Sequence, residues 1–124
     1  MSLLLDSNVL LWWFRNDPRL PSDLIQRLIE EPDLFVSVVT PWELWIKARA
    51  GKLDLPGDLE SGFGGDAFTM LSPTVDDARL AAGLPPLHRD PFDRMIIAQA
   101  LNRQATIITG DTIFARYGVD VILV

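Results

Sequence analysis

Short apolar runs alternate along the chain with longer stretches of helical period. Leu3–Leu5 read as a short buried strand, and Asp6-Ser7 then offer helix-capping oxygens. Val9, Leu10, Trp12, Trp13 and Phe14 continue as a strongly apolar helix. Pro21-Ser22-Asp23 begins a second helix, with Leu24, Ile25, Leu28 and Ile29 as its expected buried stripe and Glu30-Glu31-Pro32 as its end. Leu34 to Val39, "LFVSVV", is β-branched and reads as a second buried strand. Thr40-Pro41 follows as N-cap and first helical residue of the helix "WELWIKARAG", which stops at Gly51.

From Lys52 to Gly65 the periodicity fades into a loop with room for a short helical piece. "FTMLSP" reads as a third strand, and "VDDARLAAGL" as a helix with Val75, Ala78, Leu80 and Ala81 inward, ended by Pro85-Pro86. The next helix, "DPFDRMIIAQALN", has Asp90 as its cap and Pro91 in its first turn. "TIIT" is a strand, "DTIFARYG" a short helix closed by glycine, and "VDVILV" a final strand. Strands alternating with helices predict an α/β fold, a central parallel sheet flanked by helices. No repeat, linker or low-complexity tract divides the chain, so residues 1–124 are expected to form one domain.

Composition narrows the chemistry. The chain is 48% apolar, as a globular core requires, and carries 17 acidic against 11 basic side chains for a net charge of −6. That balance disfavours a sequence-independent nucleic-acid coat. It permits a nuclease, because a bound metal ion reverses the local sign of the field. The absence of cysteine removes disulfides, thiolate zinc sites and a cysteine nucleophile, and the single histidine, His88, argues against a histidine-rich centre. The N-terminal apolar run lacks a basic leader and is interrupted by Asp6, and nothing approaches the roughly 20 apolar residues of a bilayer span. A soluble cytoplasmic protein is the expectation, with no membrane partner.

Four acids occupy one kind of position: Asp6 after the first strand, Glu43 and Asp93 in first helical turns, and Asp111 two residues after "TIIT". In an open parallel sheet the strand-to-helix junctions share one edge, at the carboxyl ends of the strands. Taken singly, each acid has an ordinary role as a cap or a helix-dipole partner. Taken together, four converging carboxylates repel one another unless protonated or paired with a cation. A hard divalent ion such as Mg²⁺ or Mn²⁺ suits such an oxygen set. The pattern points to an acidic metal site without naming a reaction.

The segments "LLLDSNVLLWW", "VVTPWELWIKARAGKL", "LPPLHRDPFDRMIIAQAL" and "TIITGDTIFARYGVDVI" resemble, in order, the motifs of PIN-domain ribonucleases, specifically VapC toxins of type II toxin–antitoxin modules. The resemblance covers nearly the whole chain and is weakest between Lys52 and Pro85. It implies a Mg²⁺- or Mn²⁺-dependent endoribonuclease on a PIN-like domain, with Asp6, Glu43, Asp93 and Asp111 matching the four family acids. Asp6 and Asp93 would be the primary metal ligands. Ser7 and Asn8 fall where the family commonly has threonine followed by a small polar residue or histidine. Thr109 matches a hydroxyl residue beside the fourth acid. Asp90 belongs to the same block as Asp93, although capping before Pro91 accounts for it. The implied partners are an RNA substrate, a VapB-type antitoxin whose C-terminal segment wraps the toxin, and a second copy in a homodimer.

Secondary features carry two readings each. Arg89 and Arg94 adjoin the expected site and are candidate RNA contacts. Arg15, Lys47, Arg49, Lys52 and Arg103 more commonly belong to solvated helix faces. His88 has loop packing or a nucleotide contact open to it and stays outside the catalytic set. Trp12, Trp13, Trp42 and Trp45 are either core or, for the last two on one helical face, an apolar patch for an antitoxin or another toxin subunit. Competing functions are a DNA nuclease with the same metal site and a non-catalytic PIN-like module that binds RNA or protein. An aspartyl-phosphate phosphatase is disfavoured, since Asn8 stands where its second acid belongs.

Overall fold

Three consecutive leucines make the middle of the molecule. The computed structural model describes residues 1–124, and Leu3–Leu5 form strand β1, fully buried on both faces. In chain order there follow α1 (Ser7–Phe14), α2 (Ser22–Glu30), β2 (Leu34–Ser37), α3 (Val39–Arg49) and the single turn α4 (Leu59–Gly62). Then come β3 (Thr69–Leu71), α5 (Val75–Gly83), α6 (Pro91–Arg103), β4 (Thr106–Thr109), a 3₁₀ segment (Thr112–Tyr117) and β5 (Val121–Leu123). The sheet runs β3-β2-β1-β4-β5 and every pairing is parallel.

The side-chain period of two divides the core. Leu3 and Leu5 face one layer, with Val9, Leu10, Leu28 and Phe68, whereas Leu4 faces the other, with Ile96, Ile97, Ile107 and Phe114. Burial on both faces is why these strands are apolar without alternation. β1 pairs with β2 on one side and β4 on the other, Leu5 opposite both Val36 and Ile108. Chain order reverses direction at β1, so the crevice beyond the carboxyl ends of β1 and β4 is a topological switch point. Asp6 and Thr109 stand at that crevice.

The α/β architecture and parallel sheet are as expected from the sequence, while several boundaries and faces differ. β2 stops at Ser37, whose hydroxyl accepts the Val39 N–H at 3.2 Å, so α3 begins at Val39. Thr40 is therefore a buried first-turn residue rather than the cap. Ile29 is 63% exposed and Val75 75% exposed, against the inward positions expected of them, and Ala78 is exposed too. In α5 the inward line is Asp77, Ala81 and then Leu84 beyond its end. Leu80 packs on the core and Ala81 is buried, as expected, while Asp77, which a hydropathy pattern discounts, takes the inward place expected of Val75 and Ala78. No helix is long and apolar enough to cross a membrane.

Candidate metal centre

The site is assembled from strand and helix ends. Asp6 ends β1 and caps α1: Oδ1 accepts the Ser7 N–H at 2.7 Å, and Oδ2 accepts from Thr109 Oγ1 at 2.8 Å. Glu43, in the second turn of α3, accepts from Ser7 Oγ at 2.8 Å through Oε1 and pairs with Lys47 Nζ at 3.1 Å through Oε2. Asp111 caps the 3₁₀ segment, its Oδ1 accepting the Ile113 N–H at 3.0 Å while its own N–H donates to Thr109 Oγ1. Asp90 caps α6 through the Phe92 N–H at 2.8 Å and sets Asp93 in the first turn. These caps use one oxygen each and leave the carboxylates facing inward.

A cavity of about 260 Å³ results, whose polar lining is Asp6, Ser7, Asn8, Glu43, Lys47, Asp90, Asp93 and Asp111. The structure thus brings together the four acids singled out from the sequence, with Asp90, Ser7 and Asn8 beside them. Five carboxylates meet one ammonium. The imbalance registers in the titration of the cavity. Burial, then the charges of Asp6, Asp90, Glu43 and Asp111, push the Asp93 carboxyl up to about 8. Burial likewise raises Asp6 above its ordinary value, against the hydrogen bonds from Thr109 and Ser7 that lower it.

Such a donor set fits a hard divalent cation, which supplies the countercharge the side chains lack. The ligand atoms grouped most tightly are on His88, Asp93 and Asp111, all within 4.8 Å of one another. Asp6 and Glu43 lie outside that tight group and face the same cavity. His88 is the residue that sequence reasoning left out. Its Nε2 lies 2.8 Å from Asp93 Oδ2 and 3.2 Å from Asp111 Oδ2. The available signal was its place as the sole histidine, in the same "HRDPFD" block as Asp93.

Two cations are spoken for, Arg94 expected as an RNA contact and Arg103 expected on a solvated helix face. Arg94 donates to the carbonyls of Ala81, Ala82, Leu84, Pro85 and His88, so its guanidinium closes the α5–α6 connection instead of reaching for RNA. Arg103 makes a two-pronged pair with buried Asp77, at 2.9 and 3.0 Å. Arg89 is exposed and free of any ion pair. A broader, open trough of about 710 Å³ lies over the Asp77–Arg103 pair, but there the carboxylate is already neutralised. Gly110, between Thr109 and Asp111, has no room for a side chain: a Cβ would stand 2.7 Å from the Trp12 ring.

Trp42 and Trp45 are 59% and 42% exposed on α3, with Ile46 and Val38 also exposed. Each ring has one edge-on neighbour, Phe92 for Trp42 and Phe63 for Trp45. Trp12 and Trp13 are half-buried against the first core layer. The alternative of a surface patch therefore holds for the α3 pair.

Solved structures share this fold. A chain of VapBC2 from Rickettsia felis, bound to a DNA fragment from the promoter, superposes with a TM-score of 0.76 at 15% identity, covering 99% of this chain and 98% of that one. A chain of DNA-bound VapBC from Salmonella typhimurium gives 0.73 at 20% identity, with 98% and 97% covered. FitAcB from Neisseria gonorrhoeae gives 0.67 at 22% identity, with 98% and 96% covered. No curated protein sequence matches the chain. The PIN domain matches residues 3–120, nearly the whole sequence, and the chain belongs to the PIN domain family.

Proposed function

We propose that this PIN domain is a Mg²⁺- or Mn²⁺-dependent endoribonuclease and the toxin of a VapBC-type toxin–antitoxin pair. The observation that carries the reading is the cavity at the switch point, where five carboxylates from four parts of the fold face a single ammonium. Asp6 and Asp93 are assigned as primary ligands, with Glu43 and Asp111 completing the set. A divalent cation held there supplies the charge that polarises a phosphodiester and lowers the pKa of water. The chain itself orients the oxygens: Thr109 and Ser7 fix Asp6, Ser7 and Lys47 fix Glu43, and the 3₁₀ cap fixes Asp111. Exposed Arg89, four residues before Asp93, is free to meet a substrate phosphate.

RNA as the substrate, a VapB-type antitoxin and a homodimer rest on the motif resemblance, and the fold shared with VapBC and FitAcB chains supports them. The acidic cavity is complementary to a basic antitoxin side chain. The exposed Trp42–Trp45–Ile46 face gives an apolar surface suited to burial by a partner chain. Replacing Asp6 by Asn is the direct test. Mn²⁺-dependent RNA cleavage should vanish while the circular dichroism spectrum stays native, and undiminished cleavage would overturn the assignment. Offering the wild-type chain RNA and DNA side by side decides the substrate. Failure to bind Mn²⁺ would leave only a non-catalytic module.

A further inference from the structure

His88 is anchored from every side. Its backbone N–H donates to Tyr117 Oη at 2.6 Å, and that hydroxyl donates in turn to Pro85 O at 2.8 Å. Its carbonyl accepts from Arg94 at 3.0 Å. Its ring stands edge-on to Phe114, which is fully buried. A loop side chain held this firmly is delivered to a set place, and that place is between two carboxylates of different elements. Asp93 rides on α6 and Asp111 heads the 3₁₀ segment. For the Asp93 carboxylate, His88 is the one polar side-chain partner.

The other ring nitrogen says what Nε2 offers. Nδ1 faces the Asp90 N–H at 3.3 Å, so it accepts, and in a neutral imidazole the proton then sits on Nε2. A histidine that ligates a metal through Nε2 carries its proton on Nδ1 and donates it to an acceptor. Here that position confronts a backbone donor. The ring is thus arranged to donate Nε2–H to Asp111, with Nε2 2.8 Å from Asp93, rather than to coordinate beside them.

We infer that His88 is a positioning residue of the metal centre: Nε2–H donates to Asp111 and stands against Asp93, so that both carboxylates face one cation. The inference rests on the metal-centre reading above. Hydrogen-bond partners of ligating carboxylates fix their orientation, and losing one costs about 10–100-fold in metal affinity.

The test titrates Mn²⁺ alone into the intact chain by calorimetry, for wild type, His88→Ala and His88→Gln, with metal-free melting curves alongside. Glutamine places an amide N–H near the position of Nε2 without offering an imidazole lone pair. Expected is a loss of about 10–100-fold in Mn²⁺ affinity for His88→Ala, with His88→Gln close to wild type. Equal affinity for wild type and His88→Ala would overturn the inference, and so would a glutamine variant as weak as alanine, since the ring would then be needed as a ligand. If the alanine chain does not fold, His88→Phe takes its place, keeping the packing on Phe114 without a donor. A wild-type chain that binds no Mn²⁺ overturns the metal-centre reading itself, a result visible before any substitution is compared.

Discussion

Thr109 and Asp6 stand 103 residues apart in the chain, and the hydroxyl of the first donates to the carboxylate of the second at 2.8 Å. The same hydroxyl accepts the Asp111 N–H at 3.0 Å. One side chain therefore ties the end of β1, the end of β4 and the start of the 3₁₀ segment together. Thr109→Val keeps the shape and removes both bonds in a fully buried place. A fall in stability of about 1–3 kcal/mol is expected, read as a lower urea midpoint at constant slope. Thr109→Ser, which keeps the hydroxyl, should recover most of it. Equal midpoints for valine and threonine would show that the hydroxyl contributes nothing.

Asp93 makes the metal-free protein sensitive to pH in the direction opposite to an ordinary ion-paired carboxylate. Its folded value is about 8 against an ordinary 3.8, so between those limits the folded state holds a proton that the unfolded chain releases. Its contribution to stability is full below about pH 4 and is lost as pH rises through about 8. With EDTA present, Asp93→Asn should therefore gain on wild type steadily from pH 4 to pH 8 in urea midpoints. Millimolar Mn²⁺ at pH 8 should reverse the order, because the cation replaces the proton only where a carboxylate is available. An EDTA difference that does not change with pH would refute the account.

The acids were legible because their positions follow from chain direction. A parallel sheet sends every strand-to-helix junction to one edge, and Asp6 and Asp111 sit at such junctions. Asp93 lies in the first turn of its helix and Glu43 in the second turn of its own, one turn later than the sequence suggested, both close enough to the same edge to join them. His88 was not legible, because a loop residue has no period and its direction depends on Tyr117, 29 residues later. Arg94 misled for a related reason. A cation next to an acidic block reads as a phosphate contact, whereas the carbonyls left open at the end of α5 claimed it. Val75 shows the limit of apolar periodicity, since the buried charge of Asp77 sets a face of α5 that hydropathy does not record.

The Asp77–Arg103 clasp should be severe to break from one side and mild to remove whole. Burial works to raise the Asp77 carboxyl, but bonds from Arg103, Asn102 and Thr74 outweigh it and hold it well below the usual carboxylate range. Arg103→Met leaves that carboxylate buried without its countercharge, an expected loss of about 3–5 kcal/mol. Adding Asp77→Asn to the same chain should restore a large part, since the amide keeps hydrogen bonding without a charge. The depressed value also fixes the sign with pH. Its stabilisation is present above about pH 4 and is lost as pH falls further. A double variant no better than Arg103→Met would put the loss in packing rather than charge.

Gln99 offers the reverse case, a buried polar group whose removal should cost little. It is fully buried on α6, and its Nε2 donates to Leu71 O at 3.1 Å. That carbonyl already accepts the Val38 N–H at 3.0 Å, so it keeps a partner when the glutamine goes. Oε1, by contrast, is buried with no partner at all. Methionine has nearly the same length and flexibility and leaves no polar atom stranded. Gln99→Met is expected to match wild type or exceed it by about 1 kcal/mol, measured by urea denaturation at pH 7. A loss beyond about 1 kcal/mol would mean that the bond to Leu71 outweighs the stranded oxygen, and that the end of β3 depends on both of its donors.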